Sequence, residues 1–355
     1  MSAIIPNAFK LHQSIYIEDS IEREELMQIP PTISVTEYNL SSRCLTFNMN
    51  YDNIWIGSAD TTGFLVRVAF KTKLNNTDNK AALTTLSSNF FPYMFQKAVL
   101  RIGQNATIVE EFSNPGLITD IFHTMSNRHT NEKAGVNYGY IRDENTGEAI
   151  LESMVVKTIP AAAGADLATF APKLKDLEFT TAMKNSGFVR RMKMYNYDVT
   201  NETDFREVTI FYPLNKLFNF FKDITIAFRC MNVSIDLTRE LESNFHNAYF
   251  GAANTTMDLQ LKDILLCFNR LTLAPAVQNF ISNQVKSTAR YPYLRKWSSI
   301  VHIGNEKNYS RSFNFSRAST GIPRFILVIL RPNKTYSAEV NYQLHDHGKV
   351  KNIKI

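Results

Sequence analysis

The feature that most limits what this chain can become is an alternation of apolar and polar residues with a period of two, repeated in short runs. Leu45, Phe47 and Met49 alternate with Thr46, Asn48 and Asn50, and Phe64, Val66, Val68 and Phe70 alternate with Leu65, Arg67, Ala69 and Lys71. Successive side chains of an extended chain point to opposite faces, so such runs bury one face and leave the other to solvent. The same period returns in Val208, Ile210 and Tyr212, and in Val233, Ile235 and Leu237 against Ser234, Asp236 and Thr238. Further strands are expected at 98–102, 264–273, 297–303, 310–315 and 324–330.

Helical spacing is confined to short stretches. Leu117, Ile118, Ile121, Phe122 and Met125 share one face of a helix expected over 117–125, and 214–221 is apolar at the same spacing. Ser20, followed by Glu22, Glu24 and Glu25, suits a helical turn over 20–27 that Pro30 and Pro31 end. Residues 74–79, 126–150 and 160–173 have loop composition; the last two are candidates for partner contacts. No strand–helix–strand rhythm is present, so the pattern predicts an all-β chain of two sandwiches with short helices in the loops. The expected division is an N-terminal arm at 1–35, a first sandwich at 36–202 and a second at 203–355.

Composition excludes several classes. With 44% hydrophobic and 20% charged residues the chain is globular rather than disordered. A net charge of +6 comes without any Lys/Arg-rich run, which describes a mildly basic surface rather than a nucleic-acid groove. Cys44, Cys230 and Cys267 lie far apart inside apolar runs and read as small core residues. The first ten residues lack the pattern of a secretory signal, and the apolar run 325–330 is far short of the ~20 residues of a membrane span.

The residues that carry chemistry are sparse. Neither a phosphate-binding Gly-rich loop nor a G-x-S-x-G elbow occurs. His345, Asp346 and His347 could place two imidazoles on one strand face, but no third ligand is indicated and Gly348 favours a solvated turn. His123 and His129 have a weaker claim still. Arg190, Arg191 and Lys193, interleaved with Met192, Met194, Tyr195 and Tyr197, read as an amphipathic strand with a basic outer face; Arg290, Arg295 and Lys296 around Tyr291, Pro292 and Tyr293 read the same way. No catalytic, cofactor-binding or metal residue is expected. A carbohydrate-binding or carbohydrate-cleaving sandwich is the alternative. It would need exposed aromatic platforms, and Trp55 and Trp297 are the only tryptophans, both in apolar contexts. A sequence-independent nucleic-acid binder is a third reading, which would show strongly salt-dependent retention on DNA.

A set of stretches carries a family resemblance. Residues 58–70 (SADTTGFLVRVAF), 88–103 (SNFFPYMFQKAVLRIG), 185–197 (NSGFVRRMKMYNY) and 210–221 (IFYPLNKLFNFF) come first. They are followed by 233–239 (VSIDLTR), 271–275 (LTLAP) and 321–330 (GIPRFILVIL). In order and pattern the chain resembles the major capsid proteins of Polinton/Maverick and adintovirus-like elements. The resemblance implies two side-by-side jelly-roll β-sandwiches (a double jelly roll) and assembly as homotrimeric, pseudo-hexagonal capsomers, or hexons, of an icosahedral double-stranded DNA virus. It implies neighbouring capsomers and penton or minor capsid proteins as partners, with no membrane span and no sequence-specific nucleic acid. The location would be the virion, after synthesis in the host cytoplasm. Because such proteins continue well past the strand at 325–330, the second sandwich is expected to be incomplete.

Overall fold

A computed structural model describes residues 21–35, 44–49, 55–56, 61–103, 105–126, 135–143, 186–223, 228–229, 232–240, 247–252, 254–284, 293–296 and 298. Eight strands form its frame: β1 (Ile21–Ile29), β2 (Cys44–Met49), β3 (Gly63–Leu74), β4 (Phe95–Ile102), β5 (Thr107–Ser113), β6 (Arg206–Pro213), β7 (Val233–Arg239) and β8 (Thr255–Leu273). All pairings are antiparallel. One sheet runs β1–β8–β3–β6, extended by the short strands Trp55–Ile56, Phe228–Arg229 and Thr77–Asp78; the other runs β2–β7–β4–β5. The first strand pairs with the last, the second with the seventh, the third with the sixth and the fourth with the fifth. That nesting is a hairpin of eight strands rolled into two sheets, which is the jelly roll.

The period-two runs set the register. Phe64, Val66 and Val68 of β3 lie opposite Tyr212, Ile210 and Val208 of β6, and Leu45, Phe47 and Met49 of β2 lie opposite Leu237, Ile235 and Val233 of β7, so each sheet turns one continuous apolar face inward. The two faces meet ring to ring, as where Phe47 and Phe64 lie 5.0 Å apart by centroid. Each such buried side chain contributes about 1.5–3 kcal/mol. A one-residue slip would turn the whole set outward, which is why the pattern specifies pairing so strongly.

Three expectations change here. The division at residue 203 does not follow the hydrogen bonding: β6, β7 and β8 pair with β3, β2 and β1, so residues 21–273 form one roll with one interior. Where the sequence predicts helical turns over 20–27 in an arm, residues 21–29 form β1. Their Met27 and Ile29 pack on the core while Glu24 accepts from Asn269 Nδ2 at 2.6 Å, so β8 satisfies a run that alone resembles a helix start. Residues 186–195, expected as a strand, are a helix. The expected strands at 310–315 and 324–330, and with them any second sandwich, lie outside the described residues.

The helices sit in the connections. They are α1 (Phe90–Tyr93), α2 (Pro115–Ser126), α3 (Ser186–Tyr195), α4 (Leu214–Leu217), α5 (Asn219–Asp223) and α6 (Pro275–Gln284). The apolar stretch 214–221 is divided between α4 and α5 because Phe218 is extended, at φ −113° and ψ 131°. The polar segment after β3 is a tight hairpin in which Asn75 and Asn76 both have positive φ, 49° and 64°, a conformation asparagine tolerates. Among the described residues no helix is long and apolar enough to cross a membrane.

Phe91 of α1 joins the sheets to the loop end of the roll, with ring centroids 5.9 Å from Phe64, 5.2 Å from Phe95 and 5.0 Å from Tyr212. Phe91→Ala is expected to cost about 3–5 kcal/mol. Urea unfolding followed by far-UV circular dichroism measures this, and a loss under about 1 kcal/mol would deny the ring its bridging role.

Candidate assembly surfaces and buried charge

The connections gather at opposite ends of the roll, and the long one between β5 and β6 builds a cap. Its described parts, α2, the 3-10 turn Val136–Tyr138 and α3, pack over α1 and β6. Tyr212 donates to Asn89 Oδ1 at 3.0 Å, and Asn89 Nδ2 donates to Thr119 Oγ1 at 2.9 Å. Thr119 in turn donates to Pro115 O at 2.7 Å. Asn89 itself sits at φ 55°, and its N–H donates to Gly139 O at 2.7 Å. One buried asparagine therefore ties β6, α1, α2 and the turn together.

Arg191 is the largest wholly buried side chain of the cap. Its Nη2 donates to both oxygens of Asp143, at 2.7 and 3.0 Å, and its Nη1 donates to Ile141 O at 2.5 Å. A bidentate pair of this kind fixes orientation as well as distance. The expected basic stripe is thus split: Arg190 and Lys193 are exposed, whereas Arg191 faces inward with Phe188, Met192 and Tyr195. The missed signal was the spacing of those three apolar residues, which fits a helix better than a strand. Close approach is needed here too, because a Cβ at Gly187 would collide with Arg142 O.

His123 is buried on α2, stacked on Tyr138 and tilted against Tyr140, at 5.5 and 5.0 Å between centroids. Burial, followed by Lys216, Lys296 and Lys222, pushes its pKa down to about 3. It is a neutral core imidazole. Tyr138 and Tyr140 are buried in the same stack and offer no sugar platform. His129 and the triplet His345, Asp346 and His347 lie outside the described residues, as do Cys230, Arg290 and Trp297. Cys44 is half-buried and Cys267 buried, and both are free thiols. Trp55 is half-buried in its short strand. Of the two expected contact loops, only residue 126 and residues 135–143 are described, and the latter are largely buried.

The two flanks of the roll differ. On one, β1 and β2 present outer backbone edges, with Leu26 63% exposed, and no described strand pairs with them. On the other, α4 and α5 close the gap between β5 and β6, and residues 293–296 and 298 cover the edge of β5. Tyr293 donates to Val109 O at 2.9 Å, and Ser298 Oγ bridges the N–H and O of Ser113 at 3.0 and 3.2 Å. Lys296, expected on a basic outer face, is buried instead, and its Nζ donates to Leu217 O at 3.0 Å. Opposite it Glu110, wholly buried, accepts the N–H groups of Asn219 and Phe220 at 3.1 and 2.5 Å. Burial raises the Glu110 pKa and lowers that of Lys296, while each group's charge partly counters the shift of the other.

No family model matches the chain, and no curated relative does. Among solved structures it is similar to the Sputnik virophage determined by cryo-EM, with a TM-score of 0.44 and 10% identity over 78% of this chain and 53% of that one. It is also similar to the mavirus major capsid protein, with a TM-score of 0.39 and 14% identity over 76% of this chain and 52% of that one. The Faustovirus major capsid protein gives a TM-score of 0.36 and 9% identity over 78% and 58%. The chain spans about half the length of the first two.

Two outcomes follow from the buried charges. Asp143→Asn leaves the Arg191 guanidinium buried without its counter-charge and is expected to cost about 3–5 kcal/mol, read by chemical denaturation. His123 stays neutral when folded but takes a proton below pH 6.5 when unfolded, so its contribution to stability is full above pH 6.5 and falls as pH drops from 6.5 to about 3. His123→Phe should therefore flatten the acid limb of the stability profile by up to ~1.4 kcal/mol per pH unit in that window. An unchanged limb would mean that the imidazole is accessible to protons in the folded state.

Proposed function

We propose that this chain is a structural major capsid protein of a double-stranded DNA virus or virus-derived element, of the kind found in Polintons and adintoviruses. The observation that carries the reading is where the resembling stretches fall. Residues 58–70, 88–103, 210–221, 233–239 and 271–275 supply β3, α1 with β4, β6 with α4 and α5, β7 and the end of β8, in that order. They fall on five of the eight strands of a single roll rather than on a scatter of surface positions. The stretch 321–330 would then belong to a second roll standing beside the first.

The design suits a shell. A block with a continuous core and a packed cap presents fixed surfaces to copies of itself, and repeated identical contacts close rings or tile surfaces. In this reading three chains form a pseudo-hexagonal capsomer, which meets neighbouring capsomers and penton or minor capsid proteins in the virion. The chain acts by holding shape and performs no turnover. The sugar-binding alternative gains no support from Tyr138 and Tyr140, whose faces are spent on His123 and on each other.

Light scattering on the purified full-length protein tests the proposal. A homotrimer is expected. A chain that remains monomeric at high concentration under assembly conditions would falsify it.

A further inference from the structure

Two stripes of exposed side chains on the roll match each other in charge, in apolar character and in order. On β1, Glu24 and Leu26 alternate to the outer face, with Glu22 exposed at the register shift beside them; Leu26 is 63% exposed. Arg190, Lys193 and Met194 share the exposed face of α3, and Tyr197 prolongs it past the last turn, Met194 being 45% and Tyr197 43% exposed. Both stripes run from charge to apolar surface along the chain, over roughly 10–15 Å. Glu22 and Glu24 thus correspond to Arg190 and Lys193, and Leu26 to Met194 and Tyr197.

Neighbouring charges leave both stripes their sign. Arg23 and Arg270 pair with Glu25, whereas Glu24 accepts from the neutral amide of Asn269 at 2.6 Å. Beside α3, Asp198 lies 4.0 Å from Lys80 Nζ, and Asp143 is engaged by the buried Arg191. The aromatic end is already held in place, since Tyr197 Oη accepts from the N–H of Glu207 at 2.8 Å and Tyr197 O accepts from Arg206 Nε at 2.7 Å. A fixed, exposed ring loses little freedom on binding, which is what an interface anchor requires.

The stripes lie at opposite edges of one sheet. Of its four long strands, in the order β1–β8–β3–β6, β1 is the first, and α3 packs on β6, the last. We propose that copies of this chain associate head to tail, the β1 stripe of one copy seated on the α3 stripe of the next. A contact between two different patches repeats from copy to copy, and it closes into a ring when its rotation divides the circle, as a three-fold step does. The inference rests on the capsid reading and names surfaces that would hold its capsomer together. Opposite charges align the two stripes, like charges reject the wrong register, and the apolar ends exclude water beside them.

Charge reversal and its repair test the pairing, with light scattering on the full-length protein over a dilution series and circular dichroism to check folding. Arg190→Glu with Lys193→Glu, and separately Glu22→Lys with Glu24→Lys, should each raise the concentration at which the assembly dissociates by about 100-fold. All four reversals in one chain should bring it back to within about 10-fold of the wild type. Should a reversal unfold the chain, Arg190→Gln with Lys193→Gln answers the same question, and association as strong as in the wild type overturns the inference. So does a wild-type assembly that either reversal leaves intact, an outcome under which the capsid reading stands. Two damaging reversals that fail to repair each other overturn the pairing of these stripes. A wild-type chain that never associates overturns both readings.

Discussion

Everything in this structure depends on the first strand finding the last. Ile21 lies opposite Leu273 and Ile29 opposite Leu266, so backbone hydrogen bonds join the two ends of the roll. Closing so long a loop in one step would be entropically expensive, but the cost grows only with the logarithm of loop length. Here it is also divided, since each outer pair closes little more than the two connections to the pair inside it. The 19-residue β8 makes this possible by serving two partners, β3 along its first part and β1 along its last. The register shifts between Leu261 and Asp263, and Lys262 is exposed at that irregularity.

That nesting also explains which parts of the fold were legible in the sequence. Strands β2, β3, β6 and β7 declared themselves because alternate residues of each are buried between the two sheets, so period two is enforced along the run. β1 did not, since none of its side chains is fully buried. Its acidic run Glu22, Glu24 and Glu25 has the composition of a helix start, and only Asn269 and Arg270 across the ladder give those charges another use. The helix α3 was hidden by the alternation of Met192 and Met194, although Met194 is 45% exposed and plays no part in the core. The domain boundary was misplaced for a topological reason: two similar blocks in a linear sequence are also what one roll looks like before it is rolled.

The buried charges were illegible because their partners are remote. Arg191 and Asp143 are 48 residues apart, and Glu110 and Asn219 are 109 apart. No spacing rule connects such pairs. Both occur where the chain is irregular, which is where backbone hydrogen bonding alone does not choose one arrangement. A ladder positions strands by repetition, whereas α3 on the cap and the α4–α5 corner on the flank have few periodic bonds to align them. A charged group with two or three fixed acceptors or donors supplies that alignment, at a desolvation cost offset only when the geometry is right.

The sealed flank then follows from where the chain must travel. β8 ends beside the start of β1, on the open side of the roll, yet Tyr293 and Ser298 are bonded to β5 on the opposite side. A sheet of four strands is about 15 Å across, and a ten-residue helix such as α6 is about 15 Å long, so the stretch after residue 273 has the reach to cross from one flank to the other. Residues 293–296 and 298 arrive at the edge that would otherwise expose unpaired backbone, and they occupy it. The edge of β5 is therefore covered, while among the described residues no strand pairs with the outer edges of β1 and β2.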